Sequence, residues 1–190
     1  MRQVGSVVFW LFVVLSSIPL TLIAFLIWIF TMPFDKRRVV LHRFTCFWAS
    51  LYTWVNPAWP VTITGRENIE PGRTYVLCAN HLSLLDILVL FRLFKDFKWV
   101  SKAEIFKVPG IGWNMRWNKY IALKRGDKES IAEMMAESEA TLRSGSSIMI
   151  FPEGTRSVTG ELKDFKRGAF EMARETDTPI IPLVIRGTSH

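Results

Sequence analysis

The sequence predicts an α/β fold, a largely parallel sheet flanked by helices, preceded by an N-terminal membrane-embedded helical segment. Two observations predict it. Residues 3–34 contain no Asp, Glu, Lys, Arg or His, and after Pro60 short apolar runs alternate with amphipathic stretches, as strands and helices alternate around a parallel sheet. The corresponding domains are 1–59, a spanning or re-entrant anchor plus an aromatic helix, and 60–190, the α/β domain.

A bilayer core needs about 20 apolar residues in helical form, so the run Gln3 to Phe34 is long enough to cross. It is too long for a cleavable signal peptide, and Phe25, Trp28 and Phe30 carry the apolar pattern onward where small residues would end such a peptide. Pro19 near its middle allows either a kinked span or a re-entrant pair of half-helices. The cluster Asp35-Lys36-Arg37-Arg38, then His42 and Arg43, faces a lone Arg2 on the other side, which places the downstream chain in the cytoplasm. From Val39 to Trp59, Phe44, Phe47, Trp48, Leu51, Tyr52, Val55 and Trp59 recur at helical spacing. Such a face suits the headgroup zone of a membrane or packing against the α/β domain.

Beyond Pro60, strands are predicted over Val61–Gly65, Thr74–Ala79, Phe97–Ser101, Tyr120–Leu123, Ser147–Phe151 and Ile180–Ile185. Helices are predicted over Leu84–Phe94, in the region Ala103–Trp117, over Asp127–Leu142 capped by Asp127, and over Phe165–Thr176 capped by Asp164. In such sheets ligands collect beyond the carboxyl ends of the strands.

The formal charge of +7 is compatible with nucleic acid or with anionic lipid, but no basic tract with reading elements appears, so nucleic acid is not an expected partner and a bilayer is. Cys46 and Cys78 form neither a disulfide framework nor a zinc motif and read as buried thiols in a reducing compartment; no metal site is expected.

His81 follows the strand Thr74–Ala79, at the functional edge of the sheet. Ser83 as a helix N-cap makes Asp86 its third residue, where a carboxylate bonds back to the cap and opposes the helix dipole. No helix needs His81. Across the turn Asp86 can accept the proton of one ring nitrogen and leave the other as a base, and histidine is the side chain suited to taking a proton from a hydroxyl near neutral pH. In Ile150-Phe-Pro-Glu-Gly-Thr-Arg-Ser157 a second strand ends in a turn whose Gly154 exposes backbone amides beside Arg156, an anion site or else a polar turn with a solvated salt bridge. Glu153 is out of place there unless it bonds a substrate hydroxyl or positions Arg156. Lys124-Arg125 and Lys102 lie at two more strand ends, although Ser101 and Glu104 also read as a capping box. Met115, Trp117, Gly110 and Gly112 line an apolar channel or pack the core.

Taken in order, Asn80-His81-x4-Asp86, Lys102-x-Glu104 with Pro109 and Gly112-Trp113, Arg125, Phe151 to Ser157, and Ile181-Pro182-Leu183 resemble the 1-acyl-glycerol-3-phosphate acyltransferase family, from about Thr62 to Arg186. The resemblance implies direct transfer of an acyl chain from acyl-CoA or acyl-carrier protein to the sn-2 hydroxyl of lysophosphatidic acid, with no other cofactor. It makes His81 the general base and Asp86 its orienting acid. Glu153, Gly154, Thr155 and Arg156 hold the glycerol phosphate, with Arg125 and Lys102 as secondary contacts. Leu82 stands where many members carry a polar residue. Members continue past a point such as His190, so the acyltransferase domain is expected to lack its C-terminal end. The rival readings are an acyltransferase acting on glycerol 3-phosphate or another lysophospholipid, and a non-catalytic lipid-binding membrane protein.

Overall fold

The computed structural model describes residues 2–157 and 159–188. Helix α1 (Arg2–Thr31) runs through Pro19 without a break, so the pair of half-helices does not form. Proline at this position leaves one carbonyl of the preceding turn without its N–H. Just upstream, the hydroxyls of Ser16 and Ser17 turn back onto the carbonyls of Phe12 and Val13. Thirty residues at 1.5 Å each give about 45 Å, enough to cross a hydrocarbon core. One stripe of α1, centred on Ala24, packs inward, while Val7, Val8, Leu11, Val14, Ile18 and Leu22 are exposed.

Helix α2 (Val39–Val55) lies against both α1 and the α/β domain. The aromatic face expected from the sequence divides by depth. Trp48 donates to the Tyr52 hydroxyl at 2.7 Å, and that hydroxyl lies 2.9 Å from Ser17 of α1, whereas Phe47 and Trp54 stay exposed. The basic cluster between the helices is structural as well. Arg38 is buried and bonds the carbonyls of Met32 and Asp35, and Arg37 bonds the carbonyl of Gly145 at 2.6 Å.

The remaining elements are β1 (Val76–Ala79), α3 (Leu85–Phe91), β2 (Phe97–Lys102), α4 (Ile111–Trp117), β3 (Ile121–Leu123), α5 (Lys128–Arg143), β4 (Ser147–Ile150), α6 (Gly168–Glu175) and β5 (Ile180–Leu183). The five strands form one parallel sheet in the order β3-β2-β4-β1-β5. Leu77, Ala79, Phe97, Trp99 and Met149 face one core, which also takes in residues of α2, α3 and α4. Val76, Cys78, Val100, Ile148 and Ile150 face a second core with residues of α5 and α6. Burial on both faces explains why these strands read as continuous apolar runs. The thiols of Cys46 and Cys78 are buried and free, and burial pushes their pKa values up to about 12 and about 11.

Three expected elements differ. Residues 61–65 form no strand: Val61 and Ile63 are half-buried between exposed Thr62 and Thr64, but the segment joins neither sheet edge. The helical region 103–117 divides into a 3₁₀ turn (Ala103–Lys107) and α4, because Pro109 holds Val108 extended, and no Ser101–Glu104 capping box forms. Helix α6 starts after Arg167 instead of being capped by Asp164, since the amides of Lys163 and Lys166 bond to Glu153 and to the carbonyl of Pro152.

Where α2 meets the sheet, His42 is completely buried, its Nδ1 2.8 Å from the Tyr120 hydroxyl and its Nε2 2.9 Å from the carbonyl of Lys95. Cys46 Sγ lies 3.5 Å from that Nε2, and Lys98, buried beside Asp96 at 3.6 Å, adds its charge. Burial, then Lys98, pushes the His42 pKa down to about 3. The unfolded chain therefore takes up this proton first, at a pKa of about 6.5, and His42 removes stability as pH falls from there toward 3, by up to about 1.4 kcal/mol per pH unit. Thermal unfolding in detergent should show a melting temperature that declines below pH 6.5, and a shallower decline in His42→Phe. Equal slopes for the two proteins contradict the assignment.

Candidate active site

Because β1 and β4 are adjacent and parallel, His81 and the segment 151–157 emerge at the same edge of the sheet. His81 is 9% exposed and Asp86 is sealed from solvent. Nδ1 of His81 lies 2.8 Å from Asp86 Oδ2, which also accepts the amides of Leu82 at 2.6 Å and Ser83 at 2.8 Å. Oδ1 accepts the Thr188 hydroxyl at 2.5 Å. The cap contact and the histidine contact that the sequence offered as separate explanations of Asp86 are made together, by one oxygen. The Ser83 hydroxyl in turn accepts the amide of Leu85 at 3.1 Å, although the helix proper begins one residue later than expected, after Leu84. Burial would raise the Asp86 pKa, but the hydrogen bonds from His81, Thr188, Ser83 and Leu82 outweigh it and hold the carboxyl below the usual range. A carboxylate only accepts, so Nδ1 carries the hydrogen, and in the neutral form of the ring the lone pair is the one on Nε2.

The segment after β4 is bound into this arrangement at three points. Phe151 stacks on the His81 ring at 3.9 Å between centroids and 9° between planes. The His81 amide donates to Glu153 Oε1 at 2.9 Å, and the His81 carbonyl accepts the Ser157 amide at 2.8 Å. Glu153 is 3% exposed, and its other oxygen accepts the Lys163 amide at 3.1 Å. The carboxylate assigned by resemblance to the glycerol phosphate is thus committed to two backbone amides, joining the histidine turn to the loop before α6. Gly154 has φ +70°, a turn that a side chain would strain.

One cavity of about 1520 Å³ takes in His81, Lys102, Arg125, Glu153, Gly154, Thr155 and Arg156. Arg156, Arg125 and Lys102 are exposed; Lys102 lies 3.5 Å from Glu104, and among the described residues no carboxylate comes within 4.0 Å of Arg156. Lys163 and Lys166, which the sequence did not single out, join the same wall. Away from the cations the lining becomes apolar, through Leu88, Phe91, Trp99 and Met115 on one side of the sheet and Met134 and Ile150 on the other, and it reaches Phe9, Trp10 and Val13 of α1. Met115 is buried in the core as well as lining this space, and Trp117 stacks on Trp28 of α1 at 5.7 Å.

The structure thus is a parallel α/β domain with a histidine–aspartate pair and a group of cations at the carboxyl edge of its sheet. The chain belongs to the acyltransferase family, whose family model matches residues 60–186. It is 34% identical over 190 residues to a 1-acyl-sn-glycerol-3-phosphate acyltransferase of Chlamydomonas reinhardtii, covering 99% of this chain and 57% of that one. With the chloroplastic 1-acyl-sn-glycerol-3-phosphate acyltransferase of Arabidopsis thaliana it shares 39% identity over 161 residues, 84% of this chain and 45% of that one. The chain thus spans about half the length of these curated relatives. The crystal structure of the 1-acyl-sn-glycerophosphate acyltransferase PlsC of Thermotoga maritima shares the fold, with a TM-score of 0.76, 24% identity, and coverage of 100% of this chain and 78% of that one.

The Glu153 strut makes a prediction independent of activity. Glu153→Gln puts an amide group against one of two backbone N–H donors in a buried site, which should cost ~1–3 kcal/mol of stability. Denaturant unfolding checks this, and a loss within experimental error of zero contradicts the strut.

Proposed function

We propose that this chain transfers an acyl group from a thioester to the sn-2 hydroxyl of lysophosphatidic acid, forming phosphatidic acid. The observation that carries the reading is the position of His81, whose Nδ1 is held by Asp86 while the ring borders the cavity that also holds Arg156, Arg125 and Lys102. Nε2 takes the hydroxyl proton as the oxygen bonds to the thioester carbonyl carbon, and Asp86 stabilises the imidazolium that forms. The carbonyl electrons move onto oxygen and return as the carbon–sulfur bond breaks. The leaving sulfur, from acyl-CoA or acyl-carrier protein, receives the proton back from Nε2. The scheme calls on no cofactor beyond the donor.

The guanidinium of Arg156 suits a phosphate monoester because its fork pairs two oxygens at once. Arg125 and Lys102 add charge from neighbouring strands, and the amides around Gly154 add donors. Glu153 acts here through His81 and the loop, not as a ligand of the acceptor. Association with a bilayer fits the reading, since a lysolipid resides there and the apolar end of the cavity reaches α1. We place the catalytic domain on the cytoplasmic face, following the basic residues just after α1.

With a labelled thioester and purified lysophosphatidic acid, His81→Ala should lower kcat by ~10²–10⁴-fold. Near wild-type turnover in that variant rejects the base assignment. Arg156→Ala should raise KM for lysophosphatidic acid by roughly tenfold or more and leave KM for the thioester within about twofold. Equal increases for both substrates contradict the phosphate role.

A further inference from the structure

Asp86 has two oxygens with very different surroundings. Oδ2 takes three donors from its own turn: Nδ1 of His81 and the amides of Leu82 and Ser83. Oδ1 takes one, the hydroxyl of Thr188, 102 residues away in sequence. Among the described residues no other donor reaches Oδ1, and Asp86 is sealed from solvent.

The path of the chain brings Thr188 there. Beyond β5 the side chain of Asn80, next to His81, imitates a strand: its Nδ2 donates to the Ile185 carbonyl at 3.0 Å and its Oδ1 accepts the Ile185 amide at 2.7 Å. Gly187 then adopts φ +78°, open to glycine and strained for other residues. That turn returns the chain over the dyad, past residue 186 where the family match ends.

We propose that Thr188 is a positioning residue for the His81–Asp86 pair, its hydroxyl fixing the carboxylate so that Oδ2 stays directed at Nδ1 of His81. The inference rests on the reading of His81 as the base. A carboxylate held on Oδ2 alone is free to tilt about its Cβ–Cγ bond, and its buried Oδ1 would pull it toward any donor that could satisfy the lost bond. Either movement misaligns the contact that sets the tautomer and stabilises the imidazolium. Thr188 touches neither the reacting atoms nor the anion site, so the effect belongs in turnover and not in binding.

The test compares wild type, Thr188→Val, Thr188→Ser and His81→Ala in the full chain, in detergent, with lysophosphatidic acid and an acyl thioester, alongside thermal unfolding. Thr188→Val keeps the shape and removes the hydroxyl. It should lower kcat by roughly tenfold with both KM values within about twofold of wild type, and Thr188→Ser should restore most of the loss. Wild-type kcat in Thr188→Val, or a serine variant as slow as the valine one, overturns the inference. If the valine variant is unfolded at the assay temperature, the serine variant decides alone, since it must turn over close to the wild-type rate. His81→Ala separates the two readings. Activity retained there rejects the base itself, whereas an inactive His81→Ala beside a fully active Thr188→Val rejects only the role of Thr188.

Discussion

Asp86 carries a charge in a place that water does not reach, and much of the site follows from keeping that charge paired. A buried carboxylate without donors would protonate and lose its hold on a histidine. Here two backbone amides, a ring nitrogen and a hydroxyl surround it. The amides come from the tight turn between β1 and α3, so the local fold that supplies them also carries His81 into place. The other side of the histidine is closed by Phe151, Glu153 and Ser157, and the ring has little freedom left. Such preorganisation suits the role of general base proposed for His81, because orientation counts before basicity does.

The parallel sheet extends the same logic to the cations. All five strands point one way, so His81, Lys102, Arg125 and Arg156 lie at or just beyond the carboxyl ends of four of them, at one edge. Glu153 then acts as a tie, holding the turn after β1 to the loop before α6 through two backbone amides. Its charge is buried and paired with those two amides, so it is taken up within the fold. The apolar lining of the cavity that holds these residues also takes in Phe9, Trp10 and Val13 of α1.

What the sequence disclosed and what it hid divide along contact range. The pairing of His81 with Asp86 was legible because it spans one turn, and the gathering of cations was legible because a parallel sheet leaves no other place for its strand ends. The stacking of Phe151, the strut of Glu153 and the hydroxyl of Thr188 depend on strand register and on a loop returning from far along the chain, which no local pattern encodes. Phe151 read as the end of a strand; only the pairing of Cys78 with Ile150 shows that the next residues of both strands approach each other. Residues 61–65 show the converse error: alternation marks a half-buried face, but a strand also needs a partner edge. Helix α2 packs Cys46 and Ala49 into the α/β core, as one of its two expected settings requires, and sets Trp48 and Tyr52 against α1, while Phe47 and Trp54 stay exposed.

The most direct test of the account is a structure of the full chain with lysophosphatidic acid bound and no thioester present. In that complex the phosphate is expected on Arg156 with Arg125 or Lys102 beside it, and the sn-2 oxygen ~3 Å from Nε2 of His81. A phosphate held away from Arg156, or a hydroxyl that neither meets Nε2 nor reaches it through one water, would contradict it.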